Sequence, residues 1–322
     1  MNARWIILLA LTLGCGAQKG PTSTSATSQA ASDGSMITLS VDDRIARAAA
    51  WLTTNQSEDA QRALDDLSTL LIEEPERVEI PFNMALAYHQ LGDYLNARKY
   101  YLRTTAIDSS IGAAWLNLGA LAEEGGQYRR ALQHYRAGLQ NDPETGDLVV
   151  GIIGVLRRLG QHEEAIKEAK AALGRDANNI DVYNNLGLVY IDMNKPDLAQ
   201  FIYQKALNSI DGADNNPALH ANLGRTYLAK DRRWNAKQEL EKALELDPDL
   251  VPAMMFLAGL AMDDHDWQRT ADLLERAVGL EPDNAAIHLN LGIAYRGLGQ
   301  YELARKEYNE ALRIQPEDLS PH

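Results

Sequence analysis

A 34-residue pattern recurs along most of this chain, and it restricts the possible folds more than any other feature of the sequence. Its clearest copy runs from Ala285 to Asp318. Small and large apolar residues recur there at helical spacing on both sides of a break at Gly299, and the pattern stops before Pro316. The pattern predicts two helices joined by a turn. A unit this short must stack on others of its kind to bury its apolar face.

The small residues of the unit predict where its two helices cross. Two helices approach closely only where the facing residues are small, and Gly292, Ala304 and Ala311 hold those places. We expect larger side chains, among them Tyr308 and Leu312, to fill the remaining space.

Eight copies of the unit follow one another, starting near residues 44, 78, 112, 146, 180, 217, 251 and 285. The period is strict except for three extra residues around 211–213. The first small residue of the second helix marks the copies best: Ala63, Ala97, Ala131, Ala165, Ala199, Ala236, Thr270 and Ala304. The first copy is irregular, as expected of a terminal repeat that has a neighbour on one side only. Gly146, Gly151 and Gly154 crowd one helix of the fourth copy, which indicates a point of flexure, close packing or access for a ligand.

These residues resemble the tetratricopeptide repeat, whose pattern is W-x2-L-G-x2-Y, then A-x3-F, then P. The third copy is a close match, with Trp115, Leu118 and Gly119 followed by Ala131, Tyr135 and Pro143. The resemblance covers about residues 44 to 318. It implies an all-α fold, a right-handed superhelical solenoid of about eight helix-turn-helix repeats, whose partners are proteins.

Composition argues against several other classes of function. The formal net charge of −14 argues against nucleic acid, because binding phosphates requires clustered Lys and Arg. A single cysteine excludes an intramolecular disulfide framework and a cysteine-based metal cage. The histidines are scattered, and His220 and His288 hold the place of Trp115 in their repeats, so we interpret them as packing residues. We therefore expect no enzyme, no metal and no cofactor.

Paired acidic residues are the other candidates for chemistry, and they lie near the predicted turns. They are Glu123–Glu124, Glu163–Glu164 and Asp263–Asp264. We interpret them as solvated or helix-capping residues. After the last repeat the sequence shows no further helical pattern. We expect either a polar outer face on the last helix, suggested by Arg305, Glu307 and Arg313, or a contact with a partner at this end.

The N-terminal residues predict export and an anchor. Residues 1–14 pair an early Arg4 with an apolar run from Trp5 to Leu13, which is too short to span a bilayer and is typical of a signal peptide. Cys15 follows a small residue and resembles the acylated cysteine of bacterial lipoproteins. This resemblance implies lipidation of Cys15 and a location at the bacterial cell envelope, at the outer membrane facing the periplasm. An ordinary secretory signal cleaved near Ala17, or an uncleaved anchor, remains the alternative.

Residues 15–40 then form the predicted link between anchor and array, and residues 319–322 form a short tail. The link is rich in Gly, Ser, Thr and Ala, which is typical of a flexible tether. A coil of this length spans roughly 25 to 30 Å, so the repeats would stand off the membrane without a fixed orientation.

The tetratricopeptide resemblance also implies a binding surface, because first helices line the concave groove in that family. The residues at the corresponding places are apolar, amide or basic: Phe82, Asn83, Leu86, Leu116, Asn117, Arg157, Arg158, Asn185, Leu188, Ile191, Asn222, Arg225, Met255, Asn290, Ile293 and Arg296. Such a groove suits a peptide, since amides can satisfy its backbone while its side chains enter apolar pockets. The alternative is that these residues only pack against neighbouring repeats.

Three functions fit this sequence. The first is a membrane-anchored scaffold that assembles or localises an envelope machine such as a pilus secretin or a motility complex, since the chain resembles the pilotin lipoproteins of type IV pili. The second is an adaptor that regulates cell-wall enzymes, and the third is a binder of small hydrophobic ligands. The clamp for chaperone tails is not expected, because it needs lysine at the fifth place of the repeat, where this chain has residues such as Phe82 and Met255.

The anchor can be tested by removing the acylation site. The substitution Cys15→Ser should move the protein from detergent-soluble membranes to the soluble periplasmic fraction, because serine cannot carry the thioether-linked lipid. Fractionation followed by immunoblotting measures this. Unchanged membrane retention of the serine variant would contradict lipidation at Cys15.

Overall fold

The computed structural model describes residues 39–316, and within this range every regular element is helical. Sixteen α-helices alternate with short turns, and one 3-10 turn, Ala213–Asn215, lies in the loop where the sequence has three extra residues. The predicted all-α, helix-turn-helix architecture is confirmed. None of the described helices combines the length and the apolar character that crossing a membrane would require.

The described chain divides into two compact units, 39–155 and 156–316. The N-terminal unit contains α1 to α6 and most of α7: α1 (Val41–Leu52), α2 (Ser57–Glu73), α3 (Glu79–Gln90), α4 (Tyr94–Ile107), α5 (Gly112–Glu124), α6 (Tyr128–Asn141) and α7 (Gly146–Arg158). Its core is continuous from α1 to α5. The unit boundary falls inside α7, in the repeat where the sequence concentrates glycine.

The C-terminal unit contains the end of α7 and nine further helices: α8 (His162–Arg175), α9 (Ile180–Asp192), α10 (Pro196–Ser209), α11 (Pro217–Ala229), α12 (Arg233–Leu246), α13 (Val251–Asp263), α14 (Trp267–Leu280), α15 (Ala285–Gly297) and α16 (Tyr301–Ile314). Each helix packs mainly on helices one or two places away along the chain. The last helix, α16, packs chiefly on α15 among the described helices.

Local signals explain why these helices begin and end where they do. Asn179, Asn216 and Asn284 cap α9, α11 and α15 through side-chain oxygens that accept backbone N–H groups at 3.0, 3.1 and 3.2 Å. The turn between the two helices of a repeat contains one residue at positive φ. It is glycine in some repeats, such as Gly299 at 76°, and Asn194 at 55° in another, since asparagine tolerates this conformation better than most residues.

The first repeat differs from the prediction in its register. The small residue of the second helix follows the positive-φ turn residue by five places in every other repeat, and Ala60 follows Asn55 by the same distance. Ala60 therefore occupies the place that the period assigns to Ala63, and both alanines are fully buried. The cause is the length of α2, which has 17 residues where the second helices of the other repeats have 14.

Close helix crossings confirm the interpretation of the small residues. A Cβ atom added to Gly187 would lie 2.2 Å from Tyr203 Cζ, and one added to Gly292 would lie 2.5 Å from Tyr308 Cε1. A tyrosine of the second helix thus rests directly on the glycine of the first. A Cβ atom added to Gly151 would lie 2.8 Å from Tyr135 Cε2, which supports close packing at that glycine.

Two expectations for the last repeat were wrong. Leu312 was expected in the core but is 43% exposed. Glu307 was expected on a polar outer face but is buried against α15, where it bonds to His288. Arg305 and Arg313 are exposed, with side chains 72% and 61% accessible.

The helix crossings predict opposite effects of the same substitution at two glycines of the C-terminal unit. Gly187→Ala should lower the free energy of unfolding by about 1–3 kcal/mol, because the methyl group overlaps the Tyr203 ring. Gly259→Ala should leave stability unchanged or raise it by up to about 1 kcal/mol, because Gly259 is helical with nothing within 4 Å of the added atom. Urea unfolding followed by circular dichroism measures both. Equal effects of the two substitutions would contradict the close crossing.

Candidate functional site

The predicted binding residues of the N-terminal unit are buried. Phe82, Asn83, Leu86 and Asn117 are fully inaccessible to solvent, and Leu116 is 4% exposed. Phe82 and Leu86 belong to the core of this unit, and the Phe82 ring meets Tyr101 edge-on at a centroid distance of 5.9 Å. In this conformation these five side chains offer a partner almost no surface.

The buried amides of Asn83 and Asn117 have no hydrogen-bond partner among the residues that the structure describes. A buried amide without partners costs free energy, so this arrangement is unusual. In the C-terminal unit the equivalent Asn222 donates from Nδ2 to Asn184 Oδ1 of the preceding repeat at 2.7 Å. In the repeat that precedes Asn117, the place corresponding to Asn184 is held by Phe82. A phenyl ring has no oxygen that could accept such a bond.

The C-terminal unit presents a more accessible surface, which we call the first-helix face: Asn184, Leu188, Ile191, Asn222, Arg225 and Met255 on α9, α11 and α13. All six side chains are partly exposed. The helices α9 and α11 contact each other, as do α11 and α13. The bond between Asn222 and Asn184 shows that the amide side chains of two successive repeats meet on this face.

Charged groups on and beside the first-helix face leave an excess of positive charge. Arg157 Nη1 donates to Asp192 Oδ2 at 2.8 Å, with side chains 21% and 28% exposed. Arg225 is partly buried and has neither a hydrogen bond nor an ion pair within 39–316. The charges of both arginines affect the pKa of the Tyr203 hydroxyl. Burial raises the pKa of Tyr203 strongly, Arg225 and Arg157 oppose that rise, and Asp192 adds to it.

The other predicted residues of this unit have different surroundings. Asn185 donates from Nδ2 to the Asp181 carbonyl at 2.9 Å, so its own helix satisfies the amide. Asn290 and Ile293 on α15 are partly exposed, while Arg158 on α7 and Arg296 on α15 are exposed. These residues are open to solvent to different degrees, and their part in binding stays a prediction.

Two histidines make contacts that the sequence interpretation missed. His220 and His288 are buried, as expected of packing residues, but each also meets a glutamate of the second helix: His220 Nδ1 lies 2.7 Å from Glu239 Oε2, and His288 Nδ1 lies 2.6 Å from Glu307 Oε2. A signal for these pairs was present, since a glutamate follows each histidine by 19 residues. No group of three or more potential metal ligands occurs within 39–316.

The paired acidic residues are mostly exposed, as predicted, with the side chains of Asp263 and Asp264 66% and 69% accessible, and some of them also have protein partners. Arg233 donates to Asp263 at 2.7 Å and to Asp264 at 2.8 Å, which ties α12 to the end of α13. Glu123 accepts a hydrogen bond from Tyr135 at 2.7 Å. The residues that cap second helices are others, such as Asp93 and Asp266.

Models of the tetratricopeptide repeat match this chain at residues 55–180, 180–210, 217–250 and 261–321, which together make up more than half of its length. The human protein O-mannosyl-transferase TMTC1 is 27% identical over 218 residues, which cover 65% of this chain and 24% of TMTC1. The chain therefore spans about a quarter of the length of that relative. Repeats of this kind serve chiefly as scaffolds for protein–protein contacts, although TMTC1 is named as a transferase.

Solved structures show the same fold. Yeast Tom70 has a TM-score of 0.68 at 14% identity, covering 87% of this chain and 62% of Tom70. PilW, described as a widely conserved type IV pilus biogenesis factor, has a TM-score of 0.53 at 18% identity, covering 65% of this chain and 96% of PilW. The helix pairs, the glycine–tyrosine crossings and the repeat matches agree, and the chain belongs to the tetratricopeptide repeat family.

Proposed function

We propose that this protein is a membrane-anchored scaffold lipoprotein that holds a segment of a protein partner on its first-helix face and so helps to assemble or localise an envelope machine. The observation that carries the proposal is Arg225, which remains without an acidic partner on this face in a chain with 45 acidic residues. The role proposed is binding, without catalysis.

The first-helix face has the three kinds of group that hold an extended peptide. Leu188, Ile191 and Met255 offer partly exposed apolar surface. The linked amides of Asn184 and Asn222 can donate to and accept from a peptide backbone. Arg225 can pair with a carboxylate in two parallel hydrogen bonds, which is stronger and more directional than a single contact.

Charge favours a partner segment that carries an acidic side chain. The Arg157–Asp192 pair is neutral overall, so Arg225 gives the face a net positive charge. A partly buried guanidinium interacts with an opposite charge more strongly than an exposed one, because less water screens it. The rest of the chain is acidic and would repel such a segment elsewhere, which favours binding at this face.

The anchor and the tether supply the rest of the proposal. Lipidation at Cys15 would hold the protein at the envelope, and residues 16–40 would let the repeats search the nearby surface. The named role of PilW in type IV pilus biogenesis makes pilus, secretin and motility subunits the first partners to test.

Substitutions on the first-helix face should abolish capture of the partner without unfolding the chain. In-cell crosslinking and mass spectrometry should identify envelope-machine subunits with the wild-type protein and not with Leu188→Asp combined with Ile191→Asp. Once a partner segment is identified, Arg225→Ala should weaken its binding roughly tenfold or more, since hydrogen bonds to charged groups contribute about 1.5–3 kcal/mol.

The matched control is Arg305→Ala, which removes an exposed arginine from α16 and should leave binding unchanged. Helical content and melting temperature must match the wild type in every variant. Undiminished capture by the Leu188, Ile191 and Arg225 variants would overturn the assignment of this face. Capture of cell-wall hydrolases or synthases instead would establish the adaptor function, and specific retention of a small apolar ligand would establish the third function.

A further inference from the structure

The fourth residue of the first helix makes the same contact in three repeats. Its side-chain nitrogen reaches a backbone carbonyl oxygen in the loop before that helix. In the third repeat Trp115 Nε1 donates to the carbonyl oxygen of Ser109, six residues earlier, at 2.9 Å. His220 Nε2 lies 2.9 Å from the carbonyl oxygen of Asp214, and His288 Nε2 lies 2.9 Å from that of Pro282. Each histidine holds the same place in its repeat as Trp115 and reaches the carbonyl six residues before it.

This shared contact fixes where the hydrogens of the two histidines lie. A backbone carbonyl only accepts, so Nε2 must carry a hydrogen, as the indole nitrogen of Trp115 does. In a neutral imidazole, Nδ1 would then have a bare lone pair, and it would face a carboxylate oxygen at 2.7 Å in His220 and 2.6 Å in His288. Two acceptors do not approach so closely without a proton between them.

We propose that each of these two His–Glu pairs, His220–Glu239 and His288–Glu307, holds a proton between Nδ1 and the carboxylate and thereby forms a pH-sensitive latch in the C-terminal unit. The latch joins three segments in each repeat: the first helix, the second helix and the loop that precedes the repeat. It is closed while the proton is bound. When the proton is lost, either the contact with the glutamate or the contact with the loop carbonyl must be given up.

The charged groups around each histidine support a bound proton. The hydrogen bond to Glu239 raises the pKa of His220 against the effect of burial, the Asp214 carbonyl and the charge of Glu239 add to the rise, and Lys242 on α12 opposes it. Burial alone would lower the pKa of His288, but the hydrogen bonds to Glu307 and the Pro282 carbonyl, with the charges of Glu307 and Glu310 on α16, raise it above its ordinary value.

The direction of the pH effect follows from these raised values. A histidine in the unfolded chain has a pKa near 6.5, so below that pH both states bind the proton and the latch contributes its full stability. Above it, the unfolded chain loses the proton first. The contribution therefore declines as the pH rises from about 6.5 through the higher pKa of the folded state.

The direct test is an NMR titration of the full chain with labelled histidine, with each resonance assigned by substitution. His220 and His288 should titrate above pH 6.5, and Glu239→Gln and Glu307→Gln should each lower the pKa of the histidine that the glutamate contacts and leave the other unchanged. A folded-state pKa at or below about 6.5 for both histidines would overturn the proposal.

Thermal melts provide a second readout with a matched control. The control is one variant that combines four substitutions: His220→Trp, Glu239→Gln, His288→Trp and Glu307→Gln. It keeps an N–H donor for each loop carbonyl, as at Trp115, but removes the titrating groups. Between about pH 6 and pH 8.5 the melting temperature of the wild type should fall relative to that of this variant. The fall should be roughly 3 °C for each unit by which folding raises the pKa of a latch histidine. Parallel pH profiles of the two proteins would contradict the latch.

Discussion

The close approach of two helices at a glycine or alanine is the constraint on which the rest of this structure depends. Ala199 and Ala236 are fully buried at the crossings of their repeats, and Gly187 leaves no room for a methyl group beneath Tyr203. With such small residues between the backbones, little apolar surface is buried within one repeat, and the core is shared among neighbouring repeats. This is why a repeat has no closed core of its own and is stable only when stacked.

The sequence was sufficient to predict this architecture because the constraint is periodic. A buried small residue every 34 places, a turn and a proline recur often enough that single departures such as Thr270 do not hide the pattern. The first repeat was predicted less well, since α2 is longer by nearly one turn and shifts the register, so that Ala60 takes the place assigned to Ala63. The prediction for Leu312 failed because apolar spacing shows which face a residue lies on and does not show whether a neighbour covers that face.

The candidate surface was harder to predict, because position within a repeat fixes direction but not accessibility. Leu86 and Leu188 hold the same place in the first helices of their repeats, yet Leu86 is fully buried and Leu188 is partly exposed. The pairing of polar groups depends on the residue that a neighbouring repeat supplies, as Asn117 and Asn222 show. Such pairings are readable from the sequence only when both partners are considered together, as with the glutamate that follows His220 and His288 by 19 residues.

The packing of α16 chiefly on α15 has a consequence for how the chain gains and loses structure. Because the helices contact mainly their neighbours along the chain, little loop entropy is lost before each contact forms, and folding of such topologies is fast. The same locality makes unfolding gradual: releasing α16 breaks one interface, whereas releasing an internal helix such as α11 breaks several. Among the described helices of the C-terminal unit, amide protection against solvent exchange should thus be lowest in α16 and increase toward α11, so that α16 opens well before the core of this unit does.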